Sequence, residues 1–161
     1  MISYREMVEE DIPEVAEMER LIFTDPWSEK VYRETFALPD IVYIVAEDGD
    51  REVGAAGVRN IVGTGEITNV MVRPEYRGQG IARQMLTDLI KSGRRIGASE
   101  FTLEVRAGND RAIRLYESLG FECAGIRPGF YNNPKEDARI YWLMSEGGTH
   151  EVGFSSASDL V

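Results

Sequence analysis

Val70-Met71-Val72-Arg73-Pro74-Glu75-Tyr76-Arg77-Gly78-Gln79-Gly80-Ile81-Ala82 is the stretch on which the fold of this chain turns. An apolar strand ends at Val72, Pro74 starts a turn, and a glycine-bearing loop opens a helix expected from about Arg77 to Ile96. Ile81, Ala82, Met85, Leu86, Leu89 and Ile90 recur at the 3.6-residue period, so one face of that helix is apolar. Lys91, Arg94 and Arg95 complement the negative end of its dipole, and Gly97 supplies a left-handed stop. The first turn of a helix has backbone N–H groups without intrahelical partners, at the positive end of the dipole. Gly78 and Gly80 have no Cβ, so an anion can come close to the main chain there. The stretch reads as a pyrophosphate cradle. It lacks the Gly-Lys-Ser/Thr of a nucleoside triphosphate loop and the spacing of a dinucleotide fingerprint. The plainer alternative is a glycine-bearing strand-to-helix turn.

Upstream, Ile12, Val15, Ala16, Glu19 and Ile22 keep helical spacing over residues 9–22, with Pro13 tolerated in the first turn. Pro26-Trp27 breaks that pattern, and Ser28 is placed to cap a second helix over 29–37. Residues 41–46, 53–60 and 65–73 read as three strands separated by turns, an antiparallel meander. Downstream, Phe101, Leu103 and Val105 alternate with Thr102 and Glu104 in a fourth strand, which puts Glu104 on the Thr102 face. Asn109 is placed to cap a helix over 110–119 that closes on Gly120. Strands over 121–128 and 138–144 complete one domain at residues 1–145, and residues 146–161 read as a flexible C-terminal tail.

Composition narrows the chemistry. At 161 residues, 43% apolar and 29% charged, the chain suits one globular domain. Its longest apolar run, Ile41 to Ala46, is far short of the ~20 residues of a membrane helix. With no leader-like start the expected location is cytoplasmic. A net charge of −10 opposes direct nucleic-acid binding and favours cationic partners such as amines. A single histidine, His150, and a single cysteine, Cys123, leave little room for a Ser-His or Cys-His nucleophile or for a multi-ligand metal site. No metal is expected. Cys123 is expected as a small buried hydrophobe.

Arg77-x-x-Gly80-x-Ala82, behind a strand and a Val-Arg-Pro turn, resembles the Arg/Gln-x-x-Gly-x-Gly/Ala signature of the GNAT acetyltransferase superfamily. The order of elements over residues 2–145 is similar as well. Three further stretches resemble the RimI family of bacterial N-terminal acetyltransferases of ribosomal proteins. They are Glu19-x-x-x-Phe23-x-x-Pro26-Trp27-Ser28, the runs Leu103–Asn109 and Leu115–Phe121, and Phe130-Tyr131 followed by Glu136-Asp137-Ala138.

The resemblance implies an α/β fold with a mixed, largely antiparallel central sheet flanked by helices. It implies acetyl-CoA as donor and direct transfer to the α-amine of a protein N-terminus within a ternary complex. The coenzyme would be held by Val70, Met71, Val72, Arg77, Gly78, Gln79, Gly80, Ile81, Ala82, Arg83 and Asn109. Main-chain N–H groups of Val70-Met71-Val72 would stabilise the thioester oxygen as charge develops. Glu104 matches the RimI-like carboxylate that takes the amine proton, and Tyr116 is the phenol that protonates or hydrogen-bonds the departing thiolate. Each has a plainer reading, as an exposed strand glutamate and as a core tyrosine. Glu66 and Asn69 are backup residues for relaying the proton. Phe23, Trp27 and Tyr131 wall the acceptor, although Trp27 also reads as a lid on the core. Glu136 or Asp137 would either meet a basic acceptor residue or form a solvated hairpin turn. A lysine side chain, polyamine or other small amine is the alternative acceptor. An acyl-CoA-binding module without activity is the alternative of another class. A monomer or weak dimer is expected.

Overall fold

The helix predicted after the glycine loop is present and shorter than expected, because Gly78 and Gly80 sit at φ +80, outside helical geometry, and the long helix starts only at Ile81. The computed structural model describes residues 1–145, and the expected tail at 146–161 lies outside the described residues. The chain divides into two compact units, Met1–Ala98 and Ser99 onward.

The first unit contains β1 (Ile2–Glu6), α1 (Ile12–Ile22), α2 (Glu29–Phe36), β2 (Ile41–Asp48), β3 (Arg51–Ile61), β4 (Thr64–Val72) and α3 (Ile81–Arg95). Its four strands lie in sequence order, each antiparallel to the next. Ser28 caps α2, accepting from the Val31 N–H at 3.2 Å. Ile81, Met85, Leu86, Leu89 and Ile90 are all buried. Each such side chain is worth about 1.5–3 kcal/mol, against ~1 kcal/mol for a good N-cap. Burial alone therefore seats α3, and its N-terminus can go without a side-chain cap, as it does.

Between Ala56–Val70 and Val58–Ile67 the β3–β4 register slips, so Thr68 and Asn69 together oppose Gly57. This is a β-bulge, which bends the strand and re-aims a side chain. Over the inner face Ile12, Val15, Met18, Tyr32, Tyr43, Val45, Ala55 and Met71 form one core cluster.

The second unit contains β5 (Glu100–Arg106), α4 (Asp110–Ser118), β6 (Glu122–Tyr131) and β7 (Glu136–Leu143). β7 lies between β5 and β6, antiparallel to both. Phe101, Leu103 and Val105 are buried, with Ile113, Tyr116 and Phe121. Asn109 caps α4, its Oδ1 accepting from the Ala112 N–H at 3.2 Å.

Two expectations are corrected. Cys123 is exposed, because β6 is the outer strand of this unit's sheet. Glu136 and Asp137 are not a solvated turn but the start of β7. Glu136 accepts from the Gly108 N–H at 2.6 Å and pairs with Arg106 at 3.2 Å, and Asp137 accepts from the Gly129 N–H at 2.8 Å. Both carboxylates are used to close the chain on itself. β1 adds a seventh strand to the six read from sequence.

Candidate active site

The glycine loop is shaped to leave its amides accessible. Gly78 and Gly80 both sit at φ +80, a left-handed conformation that side chains rarely adopt. A Cβ built on either would meet nothing within 4 Å, so the space over the main chain is open. Among the described residues, the amides of Gly78, Gln79 and Gly80 make no hydrogen bond to other parts of the chain. Ile81 and Ala82 open α3, where helix geometry leaves N–H groups unpaired. The first turn of α3 contains no acidic side chain to compete with an anionic ligand. The donor set is thus chemically suited to a diphosphate, as coenzyme A carries. Arg83 is exposed in the same turn.

Arg77 is placed differently from the expectation. Its own N–H donates to the Pro74 carbonyl at 3.3 Å, and its Nε donates to the Val72 carbonyl at 3.1 Å. Arg77 therefore braces the loop against the end of β4, and its amide is spent. Met71 lies opposite Ala55 on β3. Arg73 N–H donates to the Val53 carbonyl at 2.8 Å, and an antiparallel ladder alternates. That alternation turns the Met71 N–H to its partner Ala55 on β3 and turns the Val70 and Val72 amides to the other side of β4.

Beside this strand lies a buried polar network that sequence reasoning did not assign. Glu19, on the core face of α1, is only 2% exposed. Its Oε1 accepts from the Tyr32 hydroxyl and from Asn69 Nδ2, the latter at 2.9 Å, while its Oε2 accepts from the Trp27 N–H. Tyr43 in turn donates to Asn69 Oδ1 at 3.3 Å. Burial pushes the Glu19 carboxyl up from its ordinary pKa, and the hydrogen bonds from Tyr32, Trp27 and Asn69 oppose the shift. The available signal was a glutamate standing at a core position of an amphipathic helix.

Of the expected acceptor residues, Trp27 is half-buried on the core cluster, its ring edge-on to Tyr32 at 5.4 Å. Phe23 is 40% exposed. Glu66 and Asn69 do not act together: Asn69 is buried in the network, whereas Glu66 is exposed opposite Arg59.

In the second unit, Glu104 is exposed on the Thr102 face, as alternation requires, and its Oε1 lies 3.6 Å from Nε of Arg127. The guanidinium of Arg127 lies 5.7 Å from the Phe130 ring centroid. Tyr131 stands edge-on to Phe130, with Arg106 over its ring at 4.6 Å. Its phenol is pushed up to about 12, mainly by burial and next by the Glu104 charge. Tyr116 is buried on Phe121, with ring centroids 5.9 Å apart, and burial raises its pKa well above the ordinary phenol value. Asn109 is exposed, so its capping role leaves its Nδ2 facing solvent.

An uncapped helix start behind a glycine loop, next to a bulged strand, is a main-chain site suited to an anionic group. The chain belongs to the acetyltransferase (GNAT) family, whose model matches residues 12–121. It is 34% identical over 136 residues to the ribosomal protein bS18-alanine N-acetyltransferase of Escherichia coli K12, covering 83% of this chain and 90% of that one. It is 33% identical over 144 residues to the N-alpha-acetyltransferase RimI of Mycobacterium tuberculosis, covering 86% and 88%. The crystal structure of the Escherichia coli ribosomal-protein-S18-alanine N-acetyltransferase superposes with a TM-score of 0.83 at 31% identity, covering 93% of this chain and 98% of that one. The fold class is therefore the α/β GNAT fold, and the protein is an acetyl-CoA-dependent N-acetyltransferase. Among the described residues no side-chain group is arranged to hold a metal, and no helix is long and apolar enough to cross a membrane.

Proposed function

We propose that this enzyme acetylates the α-amine of an alanine-starting ribosomal protein, in the cytoplasm, as a monomer or weak dimer. The observation that carries the reading is the open, uncapped N-terminus of α3, with its glycines at φ +80 and no carboxylate in its first turn. The names of relatives at 33–34% identity along most of the chain support the choice of acceptor. Residues 1–145 act as one catalytic domain, since the family match runs across the division at residue 98.

Acetyl-CoA supplies an activated thioester. The amides of Gly78, Gln79, Gly80, Ile81 and Ala82, with Arg83, hold its diphosphate, and Asn109 contacts its pantetheine arm. Glu104 takes a proton from the acceptor amine, whose ordinary pKa of about 7.7–8.0 asks only for a modest base. The amine nitrogen forms a bond to the thioester carbon, and the Val70 and Val72 amides steady the oxygen as charge builds. The carbon–sulfur bond breaks, and Tyr116 protonates or hydrogen-bonds the departing thiolate. Phe23, Trp27 and Tyr131 position the acceptor.

The test offers purified enzyme two peptides: a basic one starting with alanine, and an N-blocked twin that contains lysine. Acetylation of the first alone is expected. Acetylation of the blocked twin alone overturns the α-amine reading, and coenzyme binding without turnover of any amine overturns the catalytic one.

A further inference from the structure

Three hydrogen-bond donors from three different segments meet on the Glu19 carboxylate. Trp27 N–H comes from the loop between α1 and α2, Tyr32 from α2, and Asn69 Nδ2 from the β4 bulge. We propose that Glu19 is a positioning residue for the acceptor. In this role it fixes the Phe23–Trp27 segment and, through Asn69, the part of β4 that leads into Val70 and Val72. The proposal rests on the acceptor reading of that segment given above.

The chemistry of the contacts requires a carboxylate. The Trp27 N–H and Asn69 Nδ2 can only donate, and the Tyr32 hydroxyl, which itself accepts from Asn69 Nδ2 at 3.3 Å, donates to Glu19, so an ionised group with two acceptor oxygens satisfies all three. A neutral amide of the same shape would turn an NH2 against at least one donor. A desolvated carboxylate is costly, and an apolar side chain at this core position would pack without that cost. What the carboxylate adds is a fixed geometry between segments far apart in sequence. Glu19 lies eight residues from Trp27, 13 from Tyr32 and 50 from Asn69.

The far side of the network is equally fixed. Tyr43 donates to Asn69 Oδ1, and its hydroxyl lies 3.4 Å from Thr68 Oγ1. Thr68 and Asn69 are the two bulge residues, so the network sets the strand path immediately before Val70. Between Glu19 and Tyr43 stands the Asn69 carboxamide, which has no titrating proton to pass on, so the two are not joined by a proton path through it. In this proposal Glu19 acts by holding the three segments together.

The test is steady-state kinetics of Glu19→Gln with acetyl-CoA and acceptor varied in turn, using whichever peptide the wild type acetylates. The expected result is a KM for the peptide raised roughly tenfold or more, the scale of a lost buried hydrogen bond to a charged group. The KM for acetyl-CoA should rise much less, because the diphosphate cradle makes no contact with this network, while kcat should fall through the Val70 and Val72 amides that the network positions. Tyr32→Phe removes one donor of the three and should shift the peptide KM in the same direction by less. An unchanged peptide KM in both variants overturns the proposal. So does an equal rise in both KM values alongside a fall in Tm, which marks Glu19 as structural only. Because the acceptor is chosen by the wild type, a lysine preference would sink the α-amine reading and still leave Glu19 under test.

Discussion

Tyr43 lies directly across from Gly57 on the neighbouring strand, with its ring where a side chain at 57 would begin. A Cβ on Gly57 would come to 2.4 Å from Cε1 of Tyr43. The glycine lets the tyrosine lie over β3 and extend its hydroxyl to Asn69 and Thr68 in the bulge. Gly57→Ala should force the ring aside at a cost of about 1–3 kcal/mol, the range of overpacked cores. Thermal denaturation should show a Tm lowered by several degrees. An unchanged Tm would mean that the ring has room to move and that the contact is loose.

Glu52 offers a second prediction, on pH. It is fully buried on β3, neither of its oxygens has a hydrogen-bond partner among the described residues, and its own N–H donates to Glu14 at 2.9 Å. Burial first, then the neighbouring Asp11 carboxylate, which favours the protonated form as an acceptor and as a charge, and after it Glu14 push its carboxyl up to about 9. Asp11 goes the other way, to about 2, because Arg5 grips both its oxygens at 2.7 and 2.8 Å. Of this pair, Glu52 is thus the one kept neutral. The folded state holds a proton that the unfolded chain gives up, so this group lowers stability as pH rises from the ordinary carboxylate range toward 9. Glu52→Gln has no proton to lose, and its amide can donate to Asp11 or Glu14. Its Tm should match wild type near pH 5 and exceed it by roughly 5 °C at pH 9. A constant gap across that range would show that Glu52 does not hold the proton.

The cradle can be tested apart from stability. Gly80 is the N-cap position of α3, where aspartate is a favoured residue, although its φ of +80 strains any side chain. These effects oppose each other, so Gly80→Asp should move Tm by only a few degrees. A carboxylate there faces the diphosphate, and calorimetric titration should find acetyl-CoA affinity down by about tenfold or more. Affinity equal to wild type would exclude the loop from donor binding.

What the sequence reveals follows the range of the forces involved. The apolar stripe of α3 and the caps at Ser28 and Asn109 are local, and they stand where composition puts them. β1 was not legible: Ile2-Ser3-Tyr4-Arg5-Glu6 is short and polar, and becomes a strand only by pairing with β2, more than 35 residues away. Cys123 was misjudged for the same reason, since only strand order says which strand is outermost. In the site, the glycine loop could be read because its chemistry is main-chain and contiguous. The Glu19 network could not, because its members are drawn from α1, a loop, α2, β2 and a bulge that no local pattern announces.

Tyr116 gives the last prediction. Its phenol is held well above the ordinary value, chiefly by burial, so it stays protonated at any working pH. Such a phenol is a weak acid toward a thiolate but a permanent hydrogen-bond donor to one that forms beside it. Tyr116→Phe retains the ring and its 5.9 Å contact with Phe121, and removes the hydroxyl alone. Acetyl-CoA affinity should therefore change little, while kcat falls by about 10²–10⁴-fold, the range of general acid–base catalysis. Because wild-type Tyr116 does not ionise below about pH 10, the residual rate of the variant should run parallel to wild type up to that pH. Equal losses in kcat and in donor affinity would instead identify the hydroxyl as part of the packing, and the proton of the thiolate would then have to come from solvent.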